Sequence, residues 1–254
     1  MDIKAYLDRI GMDGAPALSY AFLKELQQKH ITAVPYENLD ILNGLPLSLN
    51  AESLYRKIVT NHRGGYCFEL NGALAALLRE IGFEVTEYMA RFLKGETSIP
   101  VRRHRVVAVK CEGRTYIVEV GIGQYAPRVP LLLETEVIQN DGFTDYRFER
   151  DPFFGWVLQE YKDGEWKPYY AFTEEIQLEI DFIQPSFYCE KHPDSPFWKA
   201  EMVAIKTPTG RKAINGRDFK VFEGDVLISL EEGVFEERLL EILRTEFGIE
   251  WKSL

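Results

Sequence analysis

The sequence predicts an α+β fold: a helical bundle, then an antiparallel β-barrel or curled sheet, then a small α/β module. Three observations predict it. Apolar residues recur at helical spacing through the first third of the chain, most clearly at Leu70, Ala73, Leu74, Leu77, Leu78 and Ile81. After Phe83 the pattern changes to short runs rich in β-branched and aromatic residues, separated by turn formers. Beyond His192-Pro-Asp-Ser-Pro196, short strands end in one further helix.

Taken in order, Tyr20 to Lys29 reads as a helix, with Phe22, Leu23 and Leu26 on one face and Ser19 as its N-cap. A second helix covers 51–60, striped by Leu54, Tyr55 and Ile58. The third starts at Cys67 and ends at Gly82, a residue suited to a C-terminal cap. Strands follow at 105–109 and 115–120, joined by a tight turn over Cys111-Glu-Gly-Arg114, and then at 144–149, 155–161 and 166–172. Lys162-Asp-Gly164 is a hairpin signal between the last two. Such spacing suggests a barrel or a curled sheet. The last zone carries strands at 203–207, 212–215 and 226–230 and a helix near 232–247. No internal repeat or low-complexity tract is seen.

Composition narrows the function classes. The chain has 254 residues, 46% of them hydrophobic and 13% aromatic, enough for a substantial core and too apolar for disorder. A net charge of −10 opposes nonspecific nucleic-acid binding, and would repel anionic ligands except where a local basic patch reverses the field. Three widely spaced cysteines, with no CxxC pair, argue against a disulfide scaffold or a structural metal and for a reducing compartment. No signal-like h-region and no long apolar stretch is present, so the expectation is a cytoplasmic protein without a membrane partner.

The most suggestive stretch is Arg63-Gly-Gly-Tyr-Cys67-Phe-Glu-Leu-Asn71. Gly64 and Gly65 permit a sharp turn. Cys67 then falls in the first turn of the helix, where the dipole and free N–H groups favour a thiolate and suit an oxyanion. An ordinary intracellular cysteine is instead a small buried hydrophobe, and Cys111 and Cys189 read that way. A thiolate needs a histidine. His30, His62, His104 and His192 are the candidates; His104 opens a strand among Arg102, Arg103 and Arg105. Glu119 interrupts the apolar run Tyr116-Ile-Val-Glu-Val120 and shares a strand face with Ile117. Such an acid either orients a histidine or pairs structurally with an arginine.

These residues resemble the arylamine N-acetyltransferases. Val34-Pro-Tyr-Glu-Asn-Leu39, the Arg63–Asn71 stretch, His104 before a β run, Val118-Glu-Val-Gly-Ile-Gly123, Pro127-Arg-Val-Pro-Leu131 and His192-Pro-Asp-Ser-Pro-Phe197 occur in the family's order and span most of the chain. The resemblance implies a helical bundle over 1–83 that carries the nucleophile, a β-barrel over 84–190 that carries the other two members of the triad, and an α/β lid over 191–254 covering a coenzyme A cleft. It implies a papain-like Cys67–His104–Glu119 site and ping-pong acetyl transfer from acetyl-CoA to arylamines, arylhydroxylamines or arylhydrazines, without a metal. The family's third triad residue is normally Asp; Glu119 adds about 1.5 Å of reach. Glu37 and Arg63 match a structural ion pair. Tyr36, Phe68 and Ile122 match the acceptor pocket, and Pro100, Val101, Gly123 and Thr207 match coenzyme A contacts. Arg102, Arg103, Arg105, Lys206, Arg211 and Lys212 are the phosphate candidates. The implied assembly is a monomer or homodimer. Two other readings fit the triad order or a decayed triad: a thiol hydrolase or transglutaminase-like acyl transferase, and a non-catalytic protein that binds acyl-CoA or aromatic ligands.

Overall fold

The computed structural model describes residues 1–251. Helices α1 (Ile3–Arg9), α2 (Tyr20–Ala33), α3 (Leu39–Leu42), α4 (Ala51–Tyr55) and α5 (Cys67–Ile81) make up the first third, with the two-residue strand β1 (Tyr36–Glu37) between α2 and α3. Ser19 caps α2 through its hydroxyl, which accepts the Phe22 N–H. The helix expected over 51–60 is interrupted: after α4, Arg56–Thr60 widens into a π-turn. There Lys57 is nearly buried and reaches inward to Asp40 and Glu69. Gly82 ends α5 at φ 108°, a conformation costly for any residue with a Cβ.

Eight strands form an antiparallel sheet in the order β5-β4-β3-β2-β9-β8-β7-β6. They are β2 (Glu84–Phe92), β3 (His104–Cys111), β4 (Arg114–Val118), β5 (Leu131–Leu132), β6 (Gln139–Asn140), β7 (Asp145–Asp151), β8 (Gly155–Lys162) and β9 (Glu165–Ile176). A bridge between Thr135 and Phe148 draws the β5 edge toward β7, so the sheet is nearly closed. The β8–β9 hairpin turns at Asp163 (φ 56°) and Gly164 (φ 84°), the pair of positive φ values that a two-residue hairpin requires. Cys111 is the last residue of β3 and is buried, whereas the sequence placed it in the turn.

After β9 comes α6 (Ile183–Lys191), then β10 (Met202–Lys206), β11 (Gly210–Asn215), β12 (Asp218–Glu223) and β13 (Val226–Glu231), and finally α7 (Glu236–Phe247). The second sheet runs β1-β10-β11-β12-β13, so a strand from the first third forms one edge of the C-terminal sheet. Its core gathers Val203, Ile214, Phe219, Leu239, Ile242, Leu243 and Phe247, together with Leu39. The main core joins the helices to the eight-stranded sheet, with α5 buried almost all round between them. Among the described residues no helix is long and apolar enough to cross a membrane, and no cluster of His, Cys, Asp or Glu is suited to a metal ion.

Candidate active site

The approach to Cys67 is built from the chain crossing beneath it. A Cβ on Gly64 would lie 1.9 Å from the Pro35 carbonyl oxygen, and one on Gly65 would lie 2.8 Å from Glu69. The two glycines therefore let the turn lie against β1, where the Glu37 N–H donates to the Gly65 carbonyl at 2.9 Å. The Glu69 carboxylate accepts the Tyr66 N–H at the helix entrance. Cys67 is the first residue of α5, and its Sγ donates to the Arg103 carbonyl at 3.5 Å.

His104, the first residue of β3, presents Nε2 to Glu119 Oε2 at 2.8 Å. That leaves Nδ1 for the Cys67 thiol, whose ionisation the nearby ring favours. All three side chains are buried. Glu119 lies outside a strand, because β4 ends at Val118. The backbone leaves the sheet there to bond helix side chains: the Glu119 N–H donates to Gln27 Oε1 at 3.0 Å and the Val120 N–H to Asn71 Oδ1 at 3.1 Å. Glu119 Oε1 accepts from Asn71 Nδ2 and from the Gly121 N–H, each at 2.7 Å. Three donors thus hold a carboxylate that would be costly to bury alone.

Burial alone would lower the basicity of His104, but the Glu119 carboxylate and the Cys67 thiol raise its pKa to about 10. Burial pushes the Cys67 thiol up, and the hydrogen bond and charge of His104 oppose it. The thiolate is therefore favoured only with the imidazolium beside it, so the pair is the ionising unit.

Cys67 and His104 open onto a cavity of about 240 Å³ that is also lined by Tyr36, Phe92, Arg103, Gly121, Ile122, Gly123 and Tyr125. Gly123, at φ 58°, lies under the Tyr36 ring; a Cβ there would be 3.0 Å from Tyr36 Cγ. Phe68, expected in this wall, instead packs behind it against Tyr66 and Phe182. Pro100, Val101 and Thr207 do not line the cavity. Arg105 is corrected as a phosphate candidate: it is buried, its Nε pairs with Glu87, and its guanidinium lies 4.2 Å over the Phe182 ring. Arg102 pairs at the surface with Glu175, Arg103 with Glu96 at 2.7 Å, and Lys212 with Glu246.

Glu37 and Arg63 do pair, at 2.6 Å, within a larger set: Arg63 also meets Asp40, and Lys57 bridges Asp40 and Glu69, each at 2.7 Å. Arg63 further stacks 4.7 Å from the Trp251 ring. The set ties β1, α3 and the π-turn to the first turn of α5. Sequence reasoning overlooked Gln27 and Asn71. The signal for Asn71 was its position one helical turn after Cys67, beside the apolar residues of the buried helix; for Gln27 it was a polar residue four after Leu23 in a buried stripe.

The chain is similar to known proteins along its whole length. A family sequence model described as N-acetyltransferase matches residues 19–253. The arylamine N-acetyltransferase of Mycolicibacterium smegmatis is 34% identical, with 100% of this chain and 94% of that protein covered. The Escherichia coli arylamine N-acetyltransferase is 30% identical over 96% and 87%. Among solved structures, the Salmonella typhimurium arylamine N-acetyltransferase superimposes with a TM-score of 0.94 at 28% identity, covering 99% of this chain and 92% of that one. Mycobacterium marinum arylamine N-acetyltransferase in complex with CoA superimposes with a TM-score of 0.90 at 33% identity, covering 98% and 93%.

Proposed function

The chain belongs to the arylamine N-acetyltransferase family, and from that premise we propose that it moves an acetyl group from acetyl-CoA to the nitrogen of an arylamine, arylhydroxylamine or arylhydrazine through an acetyl thioester on Cys67. The observation that carries the reading is the buried 2.8 Å contact of His104 Nε2 with Glu119, which leaves the other ring nitrogen to the thiol.

His104 holds the thiol proton as an imidazolium, stabilised by Glu119, and Cys67 Sγ attacks the thioester carbonyl of the donor. The Glu69 and Leu70 N–H groups donate to the Tyr66 carbonyl, which leaves those of Cys67 and Phe68 at the start of α5 to stabilise the oxyanion. Collapse breaks the donor's C–S bond; the departing thiolate takes the proton from His104, leaving acetyl-Cys67 and a neutral imidazole. The acceptor amine then attacks acetyl-Cys67, His104 accepts the proton that the amine loses, and the thiolate–imidazolium pair is restored. Each half-reaction conserves one acetyl group and one proton. Tyr36, Phe92 and Tyr125 supply aromatic walls for a flat acceptor.

Intact-mass analysis after brief incubation with acetyl-CoA tests the proposal. The expected result is one added acetyl group, absent in Cys67→Ala and lost on adding an arylamine with formation of its amide. Acetyl loss to water at the same rate with or without amine overturns it in favour of a thiol hydrolase. No adduct and no amine-dependent release of CoA overturns it in favour of a binding protein.

A further inference from the structure

Among the described residues, Arg103 is the one permanently charged side chain that lines the cavity at Cys67. Apart from Cys67 and His104, the other walls are aromatic, apolar or glycine, with Gln124 and Asn215 as neutral polar side chains. The backbone of Arg103 is pinned on both sides: its N–H donates to the Ala90 carbonyl at 3.0 Å, and its carbonyl accepts the Cys67 thiol at 3.5 Å. The side chain is therefore rooted beside the nucleophile, one residue before His104. It is partly buried, and Nη2 donates to Glu96 Oε1 at 2.7 Å. Nε and Nη1 make no hydrogen bond among the described residues. Glu96 does not line the cavity, so the cationic partner of this pair is the one at the wall.

Tyr36 shares the cavity. Burial holds its phenol well above the usual range, with the Arg103 charge opposing the rise, so the hydroxyl keeps its proton and can donate. The balance of charge also changes between the two half-reactions. Once Cys67 is acetylated the thiolate is gone and His104 is neutral, and Glu119, behind the ring, does not line the cavity. A guanidinium only donates hydrogen bonds: it repels an ammonium and gains little from an unsubstituted ring. A carboxylate gains paired, charge-assisted bonds from it.

We infer that Arg103, with the Tyr36 hydroxyl, is a specificity-determining residue that selects acceptors whose aromatic ring carries a carboxylate as well as the amine. This rests on the acetyl-transfer reading above and narrows its acceptor class.

The test follows amide formation from enzyme already acetylated at Cys67, with 4-aminobenzoate and 4-aminobenzamide, which have nearly the same shape and differ in charge. The readout is the ratio of the second-order rate constants, acid over amide, in wild type, Arg103→Met, Arg103→Lys and Glu96→Gln. Loss of the charge-assisted pair predicts a fall in that ratio of roughly tenfold to a hundredfold in Arg103→Met. Arg103→Lys restores part of it, because the charge returns without the planar fork. Glu96→Gln raises it, because the guanidinium loses a competing carboxylate. A merely structural role for Arg103 slows both acceptors alike and leaves the ratio where it was. An unmoved ratio in Arg103→Met, or a fall in Glu96→Gln, overturns the proposal; if Arg103→Met does not fold, the Arg103→Lys and Glu96→Gln ratios decide it. Wild-type acetyl-Cys67 that yields its acetyl group to neither amine refutes the transferase reading instead, so the two ideas fail separately.

Discussion

His104 Nε2 and Glu119 Oε2 meet at 2.8 Å although Glu119 lies one residue beyond the end of β4. The carboxylate is brought there by three bonds from outside the strand pair: from Asn71, from the Gly121 N–H, and through the Glu119 backbone to Gln27. The orienting acid is thus set by α2 and α5 as much as by the sheet, and α5 also carries the nucleophile.

Changing Glu119 to Gln keeps the volume and removes the charge that holds the imidazolium. His104 loses the main opposition to its desolvation, so its pKa falls from about 10. The expected loss in the rate of Cys67 acetylation lies between about a hundredfold, the cost of a misplaced catalytic group, and the roughly ten-thousandfold seen when the acid of a serine triad is made neutral. Glu119→Asp also loses rate, because a side chain one methylene shorter cannot keep all three contacts made at the present reach. Single-turnover acetylation and an NMR titration of His104 check both; a wild-type rate in Glu119→Gln removes Glu119 from the mechanism.

Asn71→Asp is expected to be as damaging as a change at Glu119, although Asn71 does not line the cavity. The substitution places a carboxylate oxygen 2.7 Å from Glu119 Oε1, and two such groups do not both stay ionised at that distance. One binds a proton at neutral pH and the support of His104 weakens. Acetylation falls near pH 7 and recovers partly in Asn71→Gln only if the longer amide still reaches Glu119. The pH–rate profile of Asn71→Asp, compared with wild type, is the measurement; superimposable profiles contradict the role given to Asn71.

The parts of this architecture that were legible in the sequence are those in which one local rule dominates. Cys67–Ile81 shows helical period because Leu70, Ala73, Leu74, Leu77, Leu78 and Ile81 recur at spacings of three and four, and Asp163-Gly164 shows its turn because only a few residues accept two positive φ values. Strand β2 escaped notice because Glu87, in its middle, is buried and answers Arg105 and Arg79, which hides the alternation of apolar and polar residues. Helix α6 starts Ile183-Gln-Pro-Ser and leaves Ile183 and Phe187 exposed, so it has no clear apolar stripe; β12 was not expected, because Phe219 is its one buried residue and no alternation marks it. Within the site, Cys67 stood out by its glycines and its place at a helix start. His104 did not stand out from His30 by local pattern, since both are buried; what separates them is the partner, Glu119 for one and Tyr6 for the other. The subsidence of the chain after Val118 toward Gln27 and Asn71 is a long-range effect with no local signature.

Arg63→Met is expected to destabilise the fold by about 3–5 kcal/mol, because among the described residues it leaves the fully buried Glu37 with only Lys57, 4.0 Å away, as a counter-charge. It also breaks the link to Asp40 and the stacking on Trp251. The double change Glu37→Gln with Arg63→Met recovers part of the loss, since the uncompensated charge is gone. Urea denaturation of the single and double variants checks this; a single variant within about 1 kcal/mol of wild type shows that the buried set does not brace the turn before Cys67.

His30 carries a pH dependence of stability separate from the active site. Its ring is fully buried on α2, Nε2 faces the Tyr6 hydroxyl at 2.9 Å, and Nδ1 has no hydrogen-bond partner among the described residues. Burial, with the nearby charge of Arg9, lowers its pKa from 6.5 to about 3. Between these two values the unfolded chain binds a proton that the folded chain refuses, so stability falls as pH falls through the window, by about 1.4 kcal/mol per unit. Above 6.5 both states are neutral and the contribution is complete. Relative to His30→Gln, wild type is expected to lose about 2–3 kcal/mol more between pH 7 and pH 4.5. Urea midpoints of the two proteins across that range measure the difference, in which carboxylates common to both cancel. A wild-type loss no larger than that of His30→Gln contradicts a neutral His30 in the folded chain. A rate of Cys67 acetylation at pH 7 that stays near wild type in His30→Gln separates this acid sensitivity from the titration of His104.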